Sequence, residues 1–170
     1  EKGKYWWQCR KFKETVLLES VERQESLKLS PDGKSLSFIR GNGQLIIFDL
    51  KTKKELLFLD SWNSPSYNWS PNSKWIAYAV EDNNYNNDIW LAPVDASRPP
   101  YNVSFHPDYD SSPTFSPDGK MLVFNTYRFG DESEIAYVHL TKLGEEDSAR
   151  DRTLVKALEA MKKRKKPEPK

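Results

Sequence analysis

Phe115-Ser116-Pro117-Asp118-Gly119-Lys120 decides the fold, because the chain writes this phrase three times. Leu29-Ser30-Pro31-Asp32-Gly33-Lys34 comes first, and Trp69-Ser70-Pro71-Asn72-Ser73-Lys74 lies between the two. Ser30 to Ser70 is 40 residues, and Ser70 to Ser116 is 46. The phrase has a turn mechanism: Pro presets φ, Asp bonds its own backbone, and Gly supplies a left-handed residue. The middle copy has Ser73 in the glycine position. There Asn72 is expected to take the positive φ, since Asn tolerates it better than Ser does.

An apolar-rich run follows each turn: Ser35 to Arg40, Trp75 to Val80 and Met121 to Thr126. After a polar loop comes a second run: Gln44 to Leu50, Asp88 to Val94 and Glu134 to Leu140. The first two units add a third, Glu55 to Leu59 and Tyr101 to Phe105, and the last unit lacks one after Leu140. These runs are short, β-branched or aromatic, and bounded by Gly, Pro, Asn and Asp, which marks strands. Ile76, Tyr78 and Val80 share one face, with Trp75, Ala77 and Ala79 on the other. A period of this size with about four short strands per unit is the signature of a propeller blade. A solenoid of helix pairs would need helical periodicity, which is absent. A β-sandwich would not repeat one turn in register.

At these residues the chain resembles the WD-repeat-like β-propellers of the TolB and tricorn-protease type. That family repeats an aromatic–Ser-Pro-Asp-Gly-Lys turn, an apolar strand, and a second strand beginning Asp-Ile-Trp. The matching pieces are Phe115 to Lys120 with Leu122 to Phe124, and Asp88-Ile89-Trp90-Leu91. Leu29, Asn72-Ser73 and Gln44-Leu45-Ile46 depart from the pattern without disturbing the spacing. The Gly-His…Trp-Asp signature of ordinary WD repeats is missing.

The expected fold is all-β, with blades of four-stranded antiparallel sheets and a C-terminal amphipathic helix. Residues 1–24 read as the end of a preceding blade, with Tyr5-Trp6-Trp7 and Thr15-Val16-Leu17-Leu18 strand-like. Blades are expected over 25–65, 66–111 and 112–143, and a helix with a basic linker or tail over 144–170. Leu154, Ala157, Leu158 and Met161 recur at helical spacing, Asp147 or Ser148 caps the start, and Pro167 ends it. The count is about three and a half blades, whereas closed rings take roughly four to eight. The chain is therefore expected to be part of a larger ring. Its open ends are expected to expose faces carrying Trp69, Trp75, Phe115 and Phe124. Its partners are expected to be a protein or peptide, including the remaining half of its own propeller or a second copy.

Composition narrows the function classes. The chain of 170 residues is 37% hydrophobic, 30% charged and 13% aromatic, with one cysteine, Cys9. No stretch approaches the roughly 18 apolar residues of a membrane-spanning helix, so no membrane insertion is expected. Net charge is +1, and residues 156–170 carry seven basic against two acidic residues, +5, which leaves −4 for the rest. A nucleic-acid protein spreads basic residues over its folded face, so nucleic acid is not an expected partner.

Candidate sites are few. Asp82, Asn84 and Asn86 reproduce the first three ligand offsets of a calcium loop, and Asp88 closes the same oxygen-rich stretch. Asn87 stands where that loop needs Gly, and Pro93 where it needs a bidentate Glu. A solvated hairpin loop is the favoured reading, so no metal and no cofactor are expected. The only histidines, His106 and His139, are far apart in the chain, and no Gly-x-Ser-x-Gly elbow is present. No catalytic residue is expected. Asp108-Tyr109-Asp110 and Asp131-Glu132-Ser133-Glu134 fall in loops of the kind that carry ligand surfaces or simply make turns. The structural residues are the repeat turns: Pro31, Asp32, Gly33; Pro71, Asn72, Ser73; and Pro117, Asp118, Gly119.

The resemblance implies a non-catalytic propeller that binds protein or peptide, as in tricorn-like peptidases, with any peptidase chemistry outside this chain. The alternative it implies is a TolB-like interaction propeller. A propeller hydrolase or lyase is the least supported. Localisation follows from the resemblance alone: bacterial periplasm or exterior, with cytoplasm as the alternative.

Overall fold

A computed structural model describes residues 3, 5–8, 13–128, 130, 132–141, 153 and 156–159. Strands β1 (Gln24–Leu29), β2 (Ser35–Arg40), β3 (Gln44–Asp49) and β4 (Glu55–Leu59) form the first sheet, in chain order. Strands β5 (Ser66–Trp69), β6 (Trp75–Glu81), β7 (Asn87–Pro93) and β8 (Tyr101–Asn102) form the second in the same way. Strands β9 (Ser111–Phe115), β10 (Met121–Thr126) and β11 (Glu134–His139) form a three-stranded third. Every pairing is antiparallel.

The repeated turn is built identically in each sheet. Ser30 Oγ donates to Asp32 Oδ1 at 2.7 Å and accepts the Ser35 N–H at 2.9 Å. Asp32 Oδ1 also accepts the Lys34 N–H at 3.1 Å. Ser70–Asn72 and Ser116–Asp118 repeat this relay, at 2.7 and 2.6 Å. The Ser30 hydroxyl, then the Lys34 amide, hold the Asp32 carboxyl below its ordinary range, and Ser116 and Lys120 do the same for Asp118. Gly33 and Gly119 both sit at φ 70.

The middle turn corrects the expectation for Asn72. The positive φ belongs to Ser73, at 59°. Asn72 is already engaged in the aspartate role, accepting from Ser70 and from the Lys74 N–H. The left-handed residue therefore falls one position later, as in the other copies. Ser73 also has work that glycine lacks: its Oγ accepts the Asp32 N–H from the neighbouring sheet at 3.0 Å. At the next boundary, a Cβ on Gly119 would stand 3.6 Å from the Pro71 ring. Successive turns thus touch.

The sheets stack face to face, and the core lies between them. Ile39, Leu45 and Ile47 of the first sheet pack on Tyr67, Trp69, Ile76, Tyr78 and Ala92 of the second. The other face of the second sheet sets Ala77, Ala79 and Ile89 against Leu122 and Phe124 of the third. The alternation read along Trp75–Val80 is the division of β6 between these two layers. A third cluster, Phe38, Ile46 and Phe48, lies on the remaining face of the first sheet, with Leu18 packed against it.

The strand readings at the N-terminus are not borne out. Trp6–Gln8 is a 3-10 turn closed by the Gln8 N–H on the Tyr5 carbonyl, and Thr15–Leu18 has no regular structure. A strand needs a neighbouring strand to satisfy its backbone, and among the described residues no strand pairs with this segment. The third run of the second unit also shortens, from Tyr101–Phe105 to Tyr101–Asn102. There Phe105 turns to φ 41, and its N–H bonds Asn102 Oδ1. Of the C-terminal helix, Thr153 and Lys156–Glu159 are helical and exposed. Asp147, Ser148, Leu154, Met161, Lys162 to Lys166 and Pro167 lie outside the described residues.

Ser73 carries a strained φ and a cross-sheet hydrogen bond, and two substitutions separate them. Ser73→Ala keeps the strain and loses the bond, and should cost about 1 kcal/mol. Ser73→Gly loses the bond but relieves a comparable strain, and should stay within about 0.5 kcal/mol of the parent by that offset. Denaturation midpoints decide it; equal losses for Ala and Gly would show that residue 73 is unstrained.

Candidate functional site

The first strand of each sheet is an edge, and the three edges converge. Lys28 Nζ on β1 donates to the Tyr67 carbonyl on β5 and sits 4.7 Å over the Tyr67 aromatic ring. The Ser112 N–H on β9 donates to Ser66 Oγ on β5 at 3.1 Å. Between them lies a cavity of about 270 Å³ lined by residues of β1, β5 and β9 and by Pro65. Its chemistry follows the strand period: Ser26, Ser66 and Ser112 occupy one repeat position, and Lys28, Asn68 and Thr114 the position two residues on. Burial lowers the Lys28 pKa.

Behind this wall a polar network ties the first two sheets. Buried Ser37 Oγ accepts the Trp69 indole N–H at 2.8 Å and lies 3.1 Å from the Tyr67 hydroxyl and from the Lys28 carbonyl. Tyr67 donates in turn to the Ser26 carbonyl. The Tyr67 and Tyr78 hydroxyls are both pushed up to about 12 by burial.

The oxygen-rich loop is a hairpin connection folded on itself. Asp82 Oδ1 accepts the N–H of Asn84 at 2.7 Å and of Asn86 at 3.0 Å. Asp88 turns elsewhere: its carboxylate accepts from Asn102 Nδ2 at 2.8 Å, Ser104 Oγ at 2.9 Å and the His106 N–H at 3.2 Å. The structure thus draws Asp82 and Asp88 into separate networks. Among the described residues no group of three or more His, Cys, Asp or Glu has metal-holding geometry.

Asp110 lies in a loop, as the sequence reads, and is fully buried there. Its Oδ2 lies 2.9 Å from Arg128 Nη2, which also donates to the Ser104 carbonyl at 2.8 Å. This pair clamps the second sheet to the hairpin of the third. Nothing in the sequence pairs the two, because they are 18 residues apart in different units. His106 Nδ1 accepts the Asp108 N–H at 3.3 Å. His139 on β11 meets the Tyr137 ring edge-on, with centroids 5.4 Å apart. The two histidines thus lie in different sheets' surroundings. Cys9 and Asp131 lie outside the described residues.

Antiparallel sheets stacked face to face, with their first strands converging on one axis, are blades of a β-propeller. Comparison with known proteins agrees. The chain is 32% identical over 113 residues to a "Tricorn protease homolog" of Saccharolobus solfataricus, a match over 65% of this chain and 10% of that protein. Its fold superposes on the crystal structure of the tricorn protease with TM-score 0.62, at 18% identity over 73% of this chain and 14% of that one. TolB from Acinetobacter baumannii gives TM-score 0.60 at 21% identity, over 74% of this chain and 32% of that one. No protein-family model matches the chain. The chain has a β-propeller fold, with repeats similar to those of the TolB and tricorn-type proteins, and it spans about a tenth of the length of the curated relative it matches.

The buried tyrosines make stability pH-dependent. Their folded pKa, about 12, exceeds the unfolded value near 10. Their contribution is present below pH ~10 and is lost as pH rises from there to ~12, by on the order of 2–3 kcal/mol per residue. Early loss of the Lys28 proton over the Tyr67 ring partly offsets this. Denaturation midpoints should fall steeply across that window and less so for Tyr67→Phe. A flat profile would contradict the burial of these hydroxyls.

Proposed function

We propose that this chain is a non-catalytic β-propeller module that binds protein or peptide and contributes consecutive blades to a larger ring. One observation carries the reading: the repeat-equivalent contact positions are covered inside the stack and bare at both ends. Tyr67 and Trp69 of β5 are 3% and 6% exposed, against the first sheet. Their equivalents on β1, Leu27 and Leu29, are each 62% exposed. At the other end, Leu45 and Ile89 are fully buried, while their equivalent Ile135 is 78% exposed and Tyr137 beside it 55%. Met121, Val123, Ile135 and Tyr137 line an apolar groove there of about 400 Å³.

The exposed residues differ from those expected on the open ends. Trp69 and Phe124 are buried, because they point back toward a blade that is present. The bare positions are suited to further blades, from the rest of the same propeller or from a second copy. Likeness to a tricorn protease homolog favours a parent peptidase whose catalytic domain lies outside this chain. The TolB-like reading would make the ring itself the interaction unit, in the periplasm or outside the cell.

A mixed peptide library and generic esters test both halves of the reading. The chain should turn over none of them above buffer and should bind peptides saturably. Turnover that falls with His106→Ala or His139→Ala would contradict the non-catalytic half. Absence of saturable binding would contradict the other.

A further inference from the structure

We propose that the cavity between β1, β5 and β9 is a carboxylate-binding site, with Lys28 as its cation. The inference deepens the peptide-binding reading and rests on it for the source of the carboxylate. Among the described residues, Lys28 is the only charged one lining the cavity. Its Nζ is held by a backbone carbonyl and an aromatic face, neither of which neutralises it. Among the described residues, none of its hydrogen bonds or ion pairs is to a carboxylate. A half-buried cation without a counter-charge is costly, and an anionic ligand supplies the missing charge.

The rest of the lining supplies donors. Ser26, Ser66 and Ser112 place a hydroxyl at the same position in all three blades, and Asn68 and Thr114 add an amide and another hydroxyl. Hydroxyls and amides complete the shell of an anion that one cation anchors. The backbone is strained at two of the serines: Ser26 and Ser112 hold φ 55 and 56, beside irregularities in the pairing of β1 and β9. Strain of this kind gathers at ligand sites. A single half-buried ammonium matches a monoanion, whereas phosphate recognition draws on more charge or on a bidentate Arg. The ligand is thus a carboxylate, either a peptide C-terminus or an acidic side chain.

Calorimetric titration of the chain separates these sources. The probes are N-acetyl-trialanine with a free C-terminus, its C-terminal amide, N-acetyl-Ala-Glu-Ala-amide, and sodium acetate. At least one carboxylate peptide should bind ten-fold or more tighter than the neutral amide. Lys28→Met should abolish that preference and Lys28→Arg should retain it. Asn68→Asp, nearly isosteric, places an internal carboxylate in the cavity and should also abolish it, which covers the case where Lys28→Met fails to fold. Equal binding of charged and neutral peptides, unchanged in folded Lys28→Met or Asn68→Asp, would overturn the site and leave peptide binding standing. Lys28-dependent acetate binding without peptide binding would uphold the site and overturn the peptide reading. No binding of any probe would overturn both.

Discussion

Each blade of this protein is apolar on both faces, and the rest of the structure depends on that constraint. A sheet with one wet face can stand at a surface; a sheet with two dry faces must be sandwiched. The second sheet shows the condition met, with Ile76 and Tyr78 in one layer and Ala77 and Ala79 in the next. Among the described residues, the first and third sheets each have a neighbouring sheet on one side only. Leu18 covers part of the first sheet's other face, and Leu27, Leu29, Ile135 and Tyr137 stay bare.

Two kinds of polar contact hold the stack in register. At the turns, Ser73 Oγ accepts the Asp32 N–H. In the layers, Ser37 gathers the Trp69 indole and the Tyr67 hydroxyl, and Asp110 pairs with Arg128. Buried polar groups of this kind cost stability unless satisfied. They therefore select one mutual placement of the blades over the many that apolar contact alone would tolerate. The same placement brings β1, β5 and β9 together, so the polar wall of the axis is a consequence of how the apolar faces stack.

The fold was legible because its signal is local and repeated. The Ser–Asp relay lies within six residues, and each copy marks the boundary of two strands. Ser73 was misread because its φ is fixed by the copies beside it and by a bond to the neighbouring sheet, neither of which residue propensity reports. The N-terminal segment was misread because apolar, β-prone residues do not make a strand without a partner. The Asp110–Arg128 clamp and the Lys28 cavity were invisible for another reason. Both are made by residues of different units, and one sequence carries no record of which side chains meet across a blade boundary. The wall serines could have been found: Ser26, Ser66 and Ser112 recur in register four residues before each turn serine.

On the proposed reading, the bare positions at the two ends are contacts for further blades. Contiguous exposed apolar surface beyond a few hundred Å² is rare in soluble monomers. Sedimentation velocity across micromolar concentrations, on the parent chain and on Ile135→Glu with Tyr137→Glu, tests this most directly. The parent should self-associate, and the double variant, still folded by circular dichroism, should shift toward monomer. A parent chain that remains a folded monomer throughout, with no partner fragment by mass spectrometry, would contradict it.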